Sequence, residues 1–409
     1  MADVTLKFGR DGEFQVPSDP PGEWTVWPSP PSLPDLGDKV ASALAVPLEY
    51  PPLAKAVVPG DKVVIALDRG TPEASILVEE LWKVLKNGGV EAQDLLILQP
   101  PSLSGQNESD PRSRLPKEDQ AQVQWRIHDA TNTKGLAYLS STVGGERIYL
   151  ARELIDADLV LTVGPIEFDP VAGYRGGGSV LYPGLSNVEA IARVHGQGHL
   201  ELGPDDERPL RQVIDEVTWL LGVQFSLQVV AGDGEGVSAV FAGLDTAVFQ
   251  KGKEFLNSQR LILTDSRVPV VLVCVDADAG GIHWAQVGTA LATARNLVAK
   301  GGKIIVLSEL SDEPGEGLKL LQGTRHARDI LKPLRQQAPP DLITATQVTH
   351  AVDWSEVFLM SRLDGTLVDE LFMTPIESTQ EALRLLKSEE TGIVIGGAQH
   401  TFGQVGAAP

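Results

Sequence analysis

The sequence contains one cysteine in 409 residues, Cys274, and this cysteine lies inside the apolar run Val268–Val275. A single thiol cannot form an intrachain disulfide, and a cysteine-based metal site needs several thiolates. The composition therefore excludes a disulfide-stapled fold and a cysteine metal centre. We expect Cys274 to be a buried core thiol. Any bound metal ion would depend on the seven histidines and on carboxylates.

Positive charge is also scarce. The chain has 34 lysines and arginines against 55 aspartates and glutamates, which gives a net charge of −21. A field of this sign repels phosphate groups, so nucleic acid and anionic membranes are excluded as expected partners. The opening segment MADVTLKFGRDGEF lacks an apolar signal region, and no apolar run is long enough to span a bilayer. We expect a soluble, cytoplasmic protein.

Three common catalytic and nucleotide-binding motifs are missing. The sequence has no G-x-x-x-x-G-K-[ST] phosphate loop, no G-x-G-x-x-G after a strand and no G-x-S-x-G nucleophile elbow. His195 and His199 have the spacing of metal ligands on a helix, but Gly196 and Gly198 would interrupt that helix. An α/β enzyme that uses an ordinary nucleotide stays open as a minor alternative.

What the sequence does contain is an alternation of strands and helices. The runs KVVIALD (62–68) and DLLILQ (94–99) predict buried strands. Between them, Ala74–Asn87 has the apolar period of a helix, and Gly88-Gly89 ends it. A strand, a helix and a strand in this order form a parallel pair. The fold class predicted is α/β with mainly parallel sheets.

At this length two domains are expected. A connecting helix is predicted over 247–257, and a second α/β alternation follows it. We therefore predict domains at 1–255 and 256–409 with a cleft between them. The first fifty residues are rich in proline and are predicted to form an extended arm.

The stretch Val163–His199 holds most of the residues that could do chemistry. It follows a predicted buried strand, and open α/β sheets bind ligands at the carboxyl ends of their strands. Gly176, Gly177 and Gly178 lack Cβ atoms, so their backbone N–H groups could approach a bound anion. A tight structural turn is the alternative explanation. A capping box downstream predicts a helix that presents His195 near this loop. Further polar candidates in the stretch are Glu167, Asp169, Tyr174, Arg175 and His199.

Two candidates lie outside that stretch. Arg69 follows the strand KVVIALD and could hold a substrate carboxylate through two hydrogen bonds. The alternative is a surface arginine beside Asp68. His128 and Asp129 could act as a base and its orienting carboxylate, but adjacent side chains rarely face each other, so a structural role is favoured.

Several segments together resemble the lactate racemases that use a nickel-pincer nucleotide. VASALAVPLEYPPLAKAVVPGDKVVIALDRGTPEAS resembles the opening of that family. IEFDPVAGYRGGGSVLYPG resembles its signature Glu-Pro-His-x-x-Ala-Gly-Phe/Tyr-Ser-Gly-Gly-x-Lys, which is followed by Pro-Gly. WAQVGTALATARNLVAKGGKIIVLSE stands where the family has a Gln-x-x-Lys helix and a Gly-Gly-strand unit. The resemblance covers nearly the whole chain and implies the fold of that family.

The resemblance also implies roles for individual residues. His195 matches the histidine that binds nickel, Arg69 matches the arginine after the first strand, and Gln286 matches the glutamine of the helix. The glycine loop with Ser179 matches the segment that holds the nucleotide. In this reading Arg69 binds the substrate carboxylate, Gln286 assists it, and Asp169 is the base.

Four positions depart from the family pattern. Ser179 replaces the lysine that tethers the cofactor, and Asp169 replaces one of the two acid/base histidines. The loop 99–102, Gln-Pro-Pro-Ser, has no histidine where the family has its other base, and Thr289 replaces a substrate-binding lysine. A serine cannot form a thioamide tether, and a carboxylate with its ordinary pKa of about 3.9 is a weaker base than histidine at about 6.5.

Two main functions therefore stay open beside the minor alternative of an enzyme that uses an ordinary nucleotide. The first is a divergent racemase, epimerase or related hydride-transfer enzyme that binds the nickel-pincer nucleotide noncovalently and acts on a 2-hydroxy acid other than lactate. The second is a noncatalytic protein of the same fold that binds a ligand in the interdomain cleft. A small organic acid is the expected partner in the first case.

Overall fold

The computed structural model describes residues 4–17, 22–101, 109–196, 198–199, 202–278 and 281–406. Within these ranges the chain forms two six-stranded sheets with helices on their faces, together with four two-stranded sheets. The predicted α/β class with mainly parallel sheets is confirmed. None of the described helices combines the length and the apolarity that a membrane crossing requires.

The first fifty residues are not simply an extended arm. They contain an antiparallel hairpin and a third strand that joins a sheet formed by the far end of the chain. The strands are β1 (Val4–Phe8), β2 (Gly12–Val16) and β3 (Glu23–Trp27). The prediction of an extended arm missed β3 because its partner lies more than three hundred residues away in sequence, where local patterns carry no information.

The following segment, up to residue 260, builds the first six-stranded sheet and its helices. Its elements are α1 (Leu36–Ala45), β4 (Val63–Leu67), α2 (Ala74–Asn87), β5 (Leu95–Gln99), α3 (Lys117–Gln120), β6 (Gln124–Ile127), β7 (Leu136–Ser141), β8 (Arg147–Ala151), α4 (Arg152–Ile155), β9 (Leu159–Pro165), β10 (Glu167–Asp169), β11 (Gly173–Arg175), α5 (Val188–Val194), α6 (Pro209–Leu221), β12 (Phe225–Ala231), β13 (Val237–Leu244) and α7 (Asp245–Arg260).

The strand order in this first sheet is β13-β12-β9-β4-β5-β6, and only the β12/β13 pair is antiparallel. Every residue of β4 is buried because both faces of the sheet are covered. Val63, Ile65 and Leu67 pack toward α1 and α2, whereas Val64 and Ala66 pack toward α6 and the β7–β8 hairpin. This burial accounts for the continuous apolar run of the strand.

The second six-stranded sheet and its helices follow. The elements are β14 (Leu261–Thr264), β15 (Val268–Cys274), α8 (Trp284–Leu297), β16 (Val298–Leu307), α9 (Glu316–Lys319), α10 (Leu331–Gln337), α11 (Leu342–Trp354), β17 (Glu356–Met360), α12 (Gly365–Glu370), β18 (Thr374–Ile376), α13 (Thr379–Lys387), β19 (Thr391–Ile395) and β20 (Phe402–Val405). The strand order is β18-β17-β16-β15-β19-β3, with all neighbours parallel. Cys274 is fully buried in this sheet, as predicted.

The predicted division into 1–255 and 256–409 stays a prediction, and two findings bear on where such a boundary would fall. Residue 255 lies inside α7, so the helix is continuous across that point. Strand β3 comes from the predicted first domain but pairs with β19 in the second sheet. The second sheet is therefore built from both ends of the chain.

The carboxyl edges of the two sheets face each other. Glu167, which follows β9, lies 3.6 Å from His400, which follows β19. The neighbouring rings of Phe168 and Phe402 are 5.6 Å apart. Ligands of parallel sheets bind at this edge, so the stretch Val163–His199 lies where a ligand is expected.

Candidate functional site

The Arg175 guanidinium is paired with Asp68, which directly follows β4. Nε lies 2.8 Å from Oδ2 and Nη2 lies 2.7 Å from Oδ1, and Nη2 also donates to the Arg69 carbonyl at 2.7 Å. Asp68 is only 6% exposed. Burial lowers the pKa of Arg175, but the Asp68 carboxylate outweighs that effect and raises it above the ordinary arginine value. Arg175 is therefore charged and fixed in orientation.

Glu167 connects Arg175 with the second half of the molecule. Its carboxylate lies 3.5 Å from Arg175 Nη1 and 3.6 Å from His400 Nδ1. Burial raises the pKa of Glu167, but the neighbouring His400 and Arg175 side chains lower it by more, so the net shift is downward. The contact of Arg175 with Glu167 is looser than its contact with Asp68.

Arg69 lies beside this pair and reaches toward the next loop. Its Nη1 donates to the Pro101 carbonyl at 3.0 Å, and its backbone N–H donates to Asp68 Oδ1 at 2.8 Å. In the same loop the Gln99 side chain accepts the Trp125 indole N–H at 2.6 Å. Ser102, the last residue of the loop compared with the family, lies outside the described residues. The substrate-binding role of Arg69 stays a prediction.

Asp169 performs a structural task in the β10–β11 hairpin. Its Oδ1 accepts the backbone N–H groups of Val171 at 2.8 Å and Ala172 at 2.6 Å. Such a carboxylate closes the turn by replacing a backbone acceptor. These two hydrogen bonds engage Oδ1 within the hairpin, so the geometry offers no support for the predicted base.

The glycine loop packs against its own chain. Gly176 N–H donates to the Ser179 hydroxyl at 2.8 Å, and Gly177 N–H donates to Gln228 Oε1 at 3.1 Å. A Cβ on Gly178 would lie 1.6 Å from Thr218 Oγ1 on α6. Gly176 and Gly177 have φ values of 131° and 55°, which favour glycine. The structural explanation left open by the sequence accounts for all three glycines.

His195 does not lie within a helix. Helix α5 begins after Asn187, whose side chain accepts the Ala190 N–H, as the capping pattern predicted. It ends at Val194, so His195 is the capping residue. The His195 Nε2 lies 2.7 Å from the Pro339 carbonyl. Because a carbonyl oxygen can only accept, Nε2 donates this hydrogen bond. Among the described residues, no three His, Cys, Asp or Glu side chains are arranged to hold a metal ion. The nickel role of His195 stays a prediction.

Gln286 also has a local partner. Its Oε1 accepts the backbone N–H of His283 at 2.6 Å and caps the first turn of α8. Thr289, at the position of the family lysine, donates its hydroxyl to the Ala285 carbonyl at 3.0 Å. Gln286 and Thr289 both lie in the first two turns of α8, which begins at Trp284.

His128 and Asp129 do not form a catalytic pair. The His128 ring is buried, and its Nε2 lies 2.7 Å from the Ser186 carbonyl. Asp129 Oδ1 instead accepts both the backbone N–H and the hydroxyl of Thr131. The structural role that the sequence favoured fits both residues.

Two polar arrangements escaped the sequence analysis. Asp276 follows the buried strand β15 just as Asp68 follows β4, a position that the pattern "apolar strand then aspartate" could have flagged. It lies beside Arg260, a buried arginine that donates to four backbone carbonyls. The second arrangement is a short contact between His283 and Asp312, which are 29 positions apart. That contact has no local sequence signal.

A nickel-pincer nucleotide held as in the family does not fit these residues. Ser179, at the tether position, offers a hydroxyl that is already bound to Gly176. The stretch Val163–His199 contains no lysine, so it cannot supply the amine of a covalent link. The N–H groups of Gly176 and Gly177, two of the expected phosphate donors, are hydrogen-bonded within the protein.

Comparisons with known proteins agree with the resemblance in sequence. Residues 13–202 match the lactate racemase N-terminal domain. The chain is 23% identical over 287 residues to a lactate racemase of Thermoanaerobacterium thermosaccharolyticum. That alignment covers 65% of this chain and 65% of the relative, just under two thirds of its length.

Solved structures extend the likeness to nearly the whole chain. The lactate racemase apoprotein of the same organism superposes with a TM-score of 0.77 at 20% identity, covering 98% of this chain and 100% of that one. A protein of known crystal structure from Thermotoga maritima gives a TM-score of 0.67 at 15% identity, covering 93% and 100%. At these identities the structures establish the shared fold.

Proposed function

We propose, from the premise that this chain is a divergent member of the lactate racemase family, that it binds a small 2-hydroxy acid between its two sheets without cofactor-dependent turnover. The observation that carries this proposal is the hydrogen bond from Gly176 N–H to the Ser179 hydroxyl. The position matched to the tethering lysine serves to cap the protein's own loop. The cofactor on which the family's reaction depends then has no covalent anchor in this stretch.

The binding part of the proposal depends on the arginines. Arg175 and Arg69 lie at the carboxyl edge of the first sheet, and a guanidinium group suits a carboxylate ligand. The Arg175 Nη1 contact with Glu167, at 3.5 Å, is the loosest of its ion-pair contacts. A ligand carboxylate would replace Glu167 at Arg175 Nη1. Asp68 would keep its two hydrogen bonds to the guanidinium, and Glu167 would keep its contact with His400.

The other candidate is the enzyme that holds the nickel-pincer nucleotide by reversible contacts and acts on a 2-hydroxy acid other than lactate. The retention of His195 favours it. Other observations argue against it, because the groups it needs are already bonded within the protein. Asp169 and the glycine loop accept or donate internal hydrogen bonds, and His195 contacts the Pro339 carbonyl. Nickel and the nucleotide are therefore part of this second candidate only.

One experiment separates the two. The protein is co-expressed with the enzymes that make the cofactor, purified, and analysed for nickel and for native and denatured mass. Calorimetric titration with lactate, 2-hydroxybutyrate and mandelate measures binding, and chiral chromatography of each acid, supplied as a single enantiomer, measures turnover as appearance of the other enantiomer. We expect unmodified mass, no stoichiometric nickel, saturable binding and no loss of enantiomeric purity. Stoichiometric nickel together with racemisation would establish the enzyme instead.

Arg175→Lys tests the site itself. An ammonium group on a lysine cannot contact Asp68 and a ligand carboxylate with the same geometry, so we expect binding to weaken about tenfold or more. Arg126→Lys is the matched control, because Arg126 pairs with Glu153 at the protein surface. Equal affinity in the two variants would place the ligand elsewhere.

A further inference from the structure

His283 and Asp312 form a hydrogen-bonded pair at the carboxyl edge of the second sheet. His283 precedes α8, and Asp312 lies in the loop after β16. The ring Nδ1 is 2.5 Å from Asp312 Oδ2. In the neutral ring, a carboxylate at Nδ1 fixes the proton on that nitrogen and leaves a lone pair on Nε2. The pair thus presents a hydrogen-bond acceptor in a defined direction.

The surroundings hold this pair rigidly. The His283 backbone N–H donates to Gln286 Oε1, and the neighbouring Trp284 indole N–H donates to the Asp312 carbonyl at 2.9 Å. The ring Nε2 has no hydrogen-bond partner in the described part of the chain, and it is not among the buried side-chain atoms left without one there. Nε2 is therefore open to solvent, although the side chain is only 19% exposed.

The pair also lies on the correct side of the second sheet. Strands β19, β15 and β16 are parallel neighbours in this sheet. His400 follows β19, His283 follows β15 and Asp312 follows β16, so all three lie beyond the carboxyl ends of adjacent strands. The central stretch touches this edge through Glu167, which lies 3.6 Å from His400. The His283–Asp312 pair therefore lies at the edge that the central stretch contacts.

We infer that His283 Nε2 accepts the hydroxyl hydrogen of the bound 2-hydroxy acid and makes the site selective for that hydroxyl. This inference rests on the proposed function, in which the arginines take the carboxylate. A 2-oxo acid and a deoxy acid have no hydrogen to donate at C2. Once the bound acid has displaced the water at Nε2, both analogues would leave its lone pair without a donor, and sites that hydrogen-bond a ligand hydroxyl discriminate against the ligand that lacks this group.

The test compares ligands and variants by calorimetric titration. The probes are lactate, 2-hydroxybutyrate and mandelate, each with its 2-oxo and deoxy counterpart. In His283→Asn the amide nitrogen can keep the Asp312 contact of Nδ1, but nothing replaces Nε2. His326→Asn is the control, because His326 is an exposed histidine of the same half. We expect the wild-type protein and the control to prefer the hydroxy acid at least tenfold, and His283→Asn to lose that preference while its deoxy-acid affinity stays within twofold.

Each other outcome has a definite meaning. If the wild-type protein binds hydroxy and deoxy acids equally and His283→Asn changes neither, the inference fails while the proposed function stands. If the variant weakens both ligands equally, His283 is only structural and the inference fails. If the wild-type protein binds no carboxylate, the proposed function fails and the inference fails with it. Nitrogen shifts of the ring by NMR, expected to show a protonated Nδ1 and a bare Nε2, check the tautomer without any ligand.

Discussion

Arg175 holds Asp68 through both carboxylate oxygens, with Nε 2.8 Å from Oδ2 and Nη2 2.7 Å from Oδ1. Asp68 is nearly buried, so its charge depends on this partner for stabilisation. The family signature has a serine where this chain has Arg175. The family signature therefore does not predict this ion pair, which is a feature of this sequence.

We predict that Arg175→Lys lowers the free energy of unfolding by about 1–3 kcal/mol, because a lysine cannot reproduce the two parallel hydrogen bonds to a buried carboxylate. Urea unfolding followed by circular dichroism measures the change. Arg126→Lys, whose surface pair with Glu153 is largely exposed, should change stability by less than about 0.5 kcal/mol. Similar losses in the two variants would mean that burial of Asp68 does not matter.

Gly178 is predicted to be required for packing rather than for a ligand. A Cβ at this position would lie 1.6 Å from Thr218 Oγ1, so Gly178→Ala should cost about 1–3 kcal/mol of stability. Thr218→Ala in the same chain removes the clashing hydroxyl and should recover part of that loss in urea unfolding. Gly196→Ala is the control, since among the described residues beyond its chain neighbours its Cβ would meet nothing closer than the Val194 carbonyl at 3.9 Å. No recovery in the double variant would contradict the packing explanation.

The secondary structure was largely predictable because it depends on local patterns. The apolar period of Ala74–Asn87 and the glycines after it gave both ends of α2. The continuous apolar run of β4 reflects burial on both faces. Strand β3 was missed because a proline-rich context surrounds it and its partner β19 is distant in sequence. A pairing of that kind leaves no mark in the short-range periodicity of either strand.

The site was predictable only in outline. The sequence shows that Gly178 lacks a side chain, but not that Thr218, forty residues later, fills the space. It shows a carboxylate at Asp169, but not that two backbone N–H groups engage it. Matching a residue to a family position thus does not reveal how its side chain is used.

Asp276 is predicted to make stability depend on pH. Burial, the largest influence, raises its pKa from 3.8 to about 6, although Arg260 and His400 oppose this shift and Asp233 adds to it. Because the folded pKa lies above the unfolded one, the stabilising contribution is complete below about pH 4 and is lost as pH rises through about 6. The expected change is about 3 kcal/mol, at 1.36 kcal/mol per pKa unit.

Asp276→Asn removes this titration, so the stability difference between wild type and variant should shrink or reverse between pH 4 and pH 7 in urea unfolding. Asp233→Asn provides a contrast of opposite sign. Burial raises the pKa of Asp233, but its hydrogen bonds with Ser32 and the Lys7 contact lower it overall. Its contribution should therefore be lost as pH falls. A flat difference for Asp276→Asn would show that its carboxyl keeps an ordinary pKa.

Arg260 is predicted to stabilise the contact between the two sheets. It is 2% exposed, and its guanidinium donates to the carbonyls of Gly232 at 2.9 Å and Ala231 at 3.2 Å, beside the first sheet. The same group donates to Gly397 at 3.3 Å and Gly396 at 3.5 Å, beyond β19 of the second sheet. Burial lowers its pKa to about 10, so it remains charged at neutral pH.

Arg260→Met leaves those buried carbonyls without their donor, and we expect a loss of about 3–5 kcal/mol in the free energy of unfolding. Hydrogen exchange measured by mass spectrometry should show earlier opening of peptides that contain residues 231–232 and 396–397 together, because one side chain serves both. Arg267→Met is the matched control, since Arg267 also donates to two carbonyls, those of Arg295 and Val298, but within one half of the molecule. It should leave both of those peptides protected. If Arg260→Met opened only one of the two peptides, the arginine would stabilise a single sheet and the two sheets would be held together by other contacts, such as that of Phe168 with Phe402.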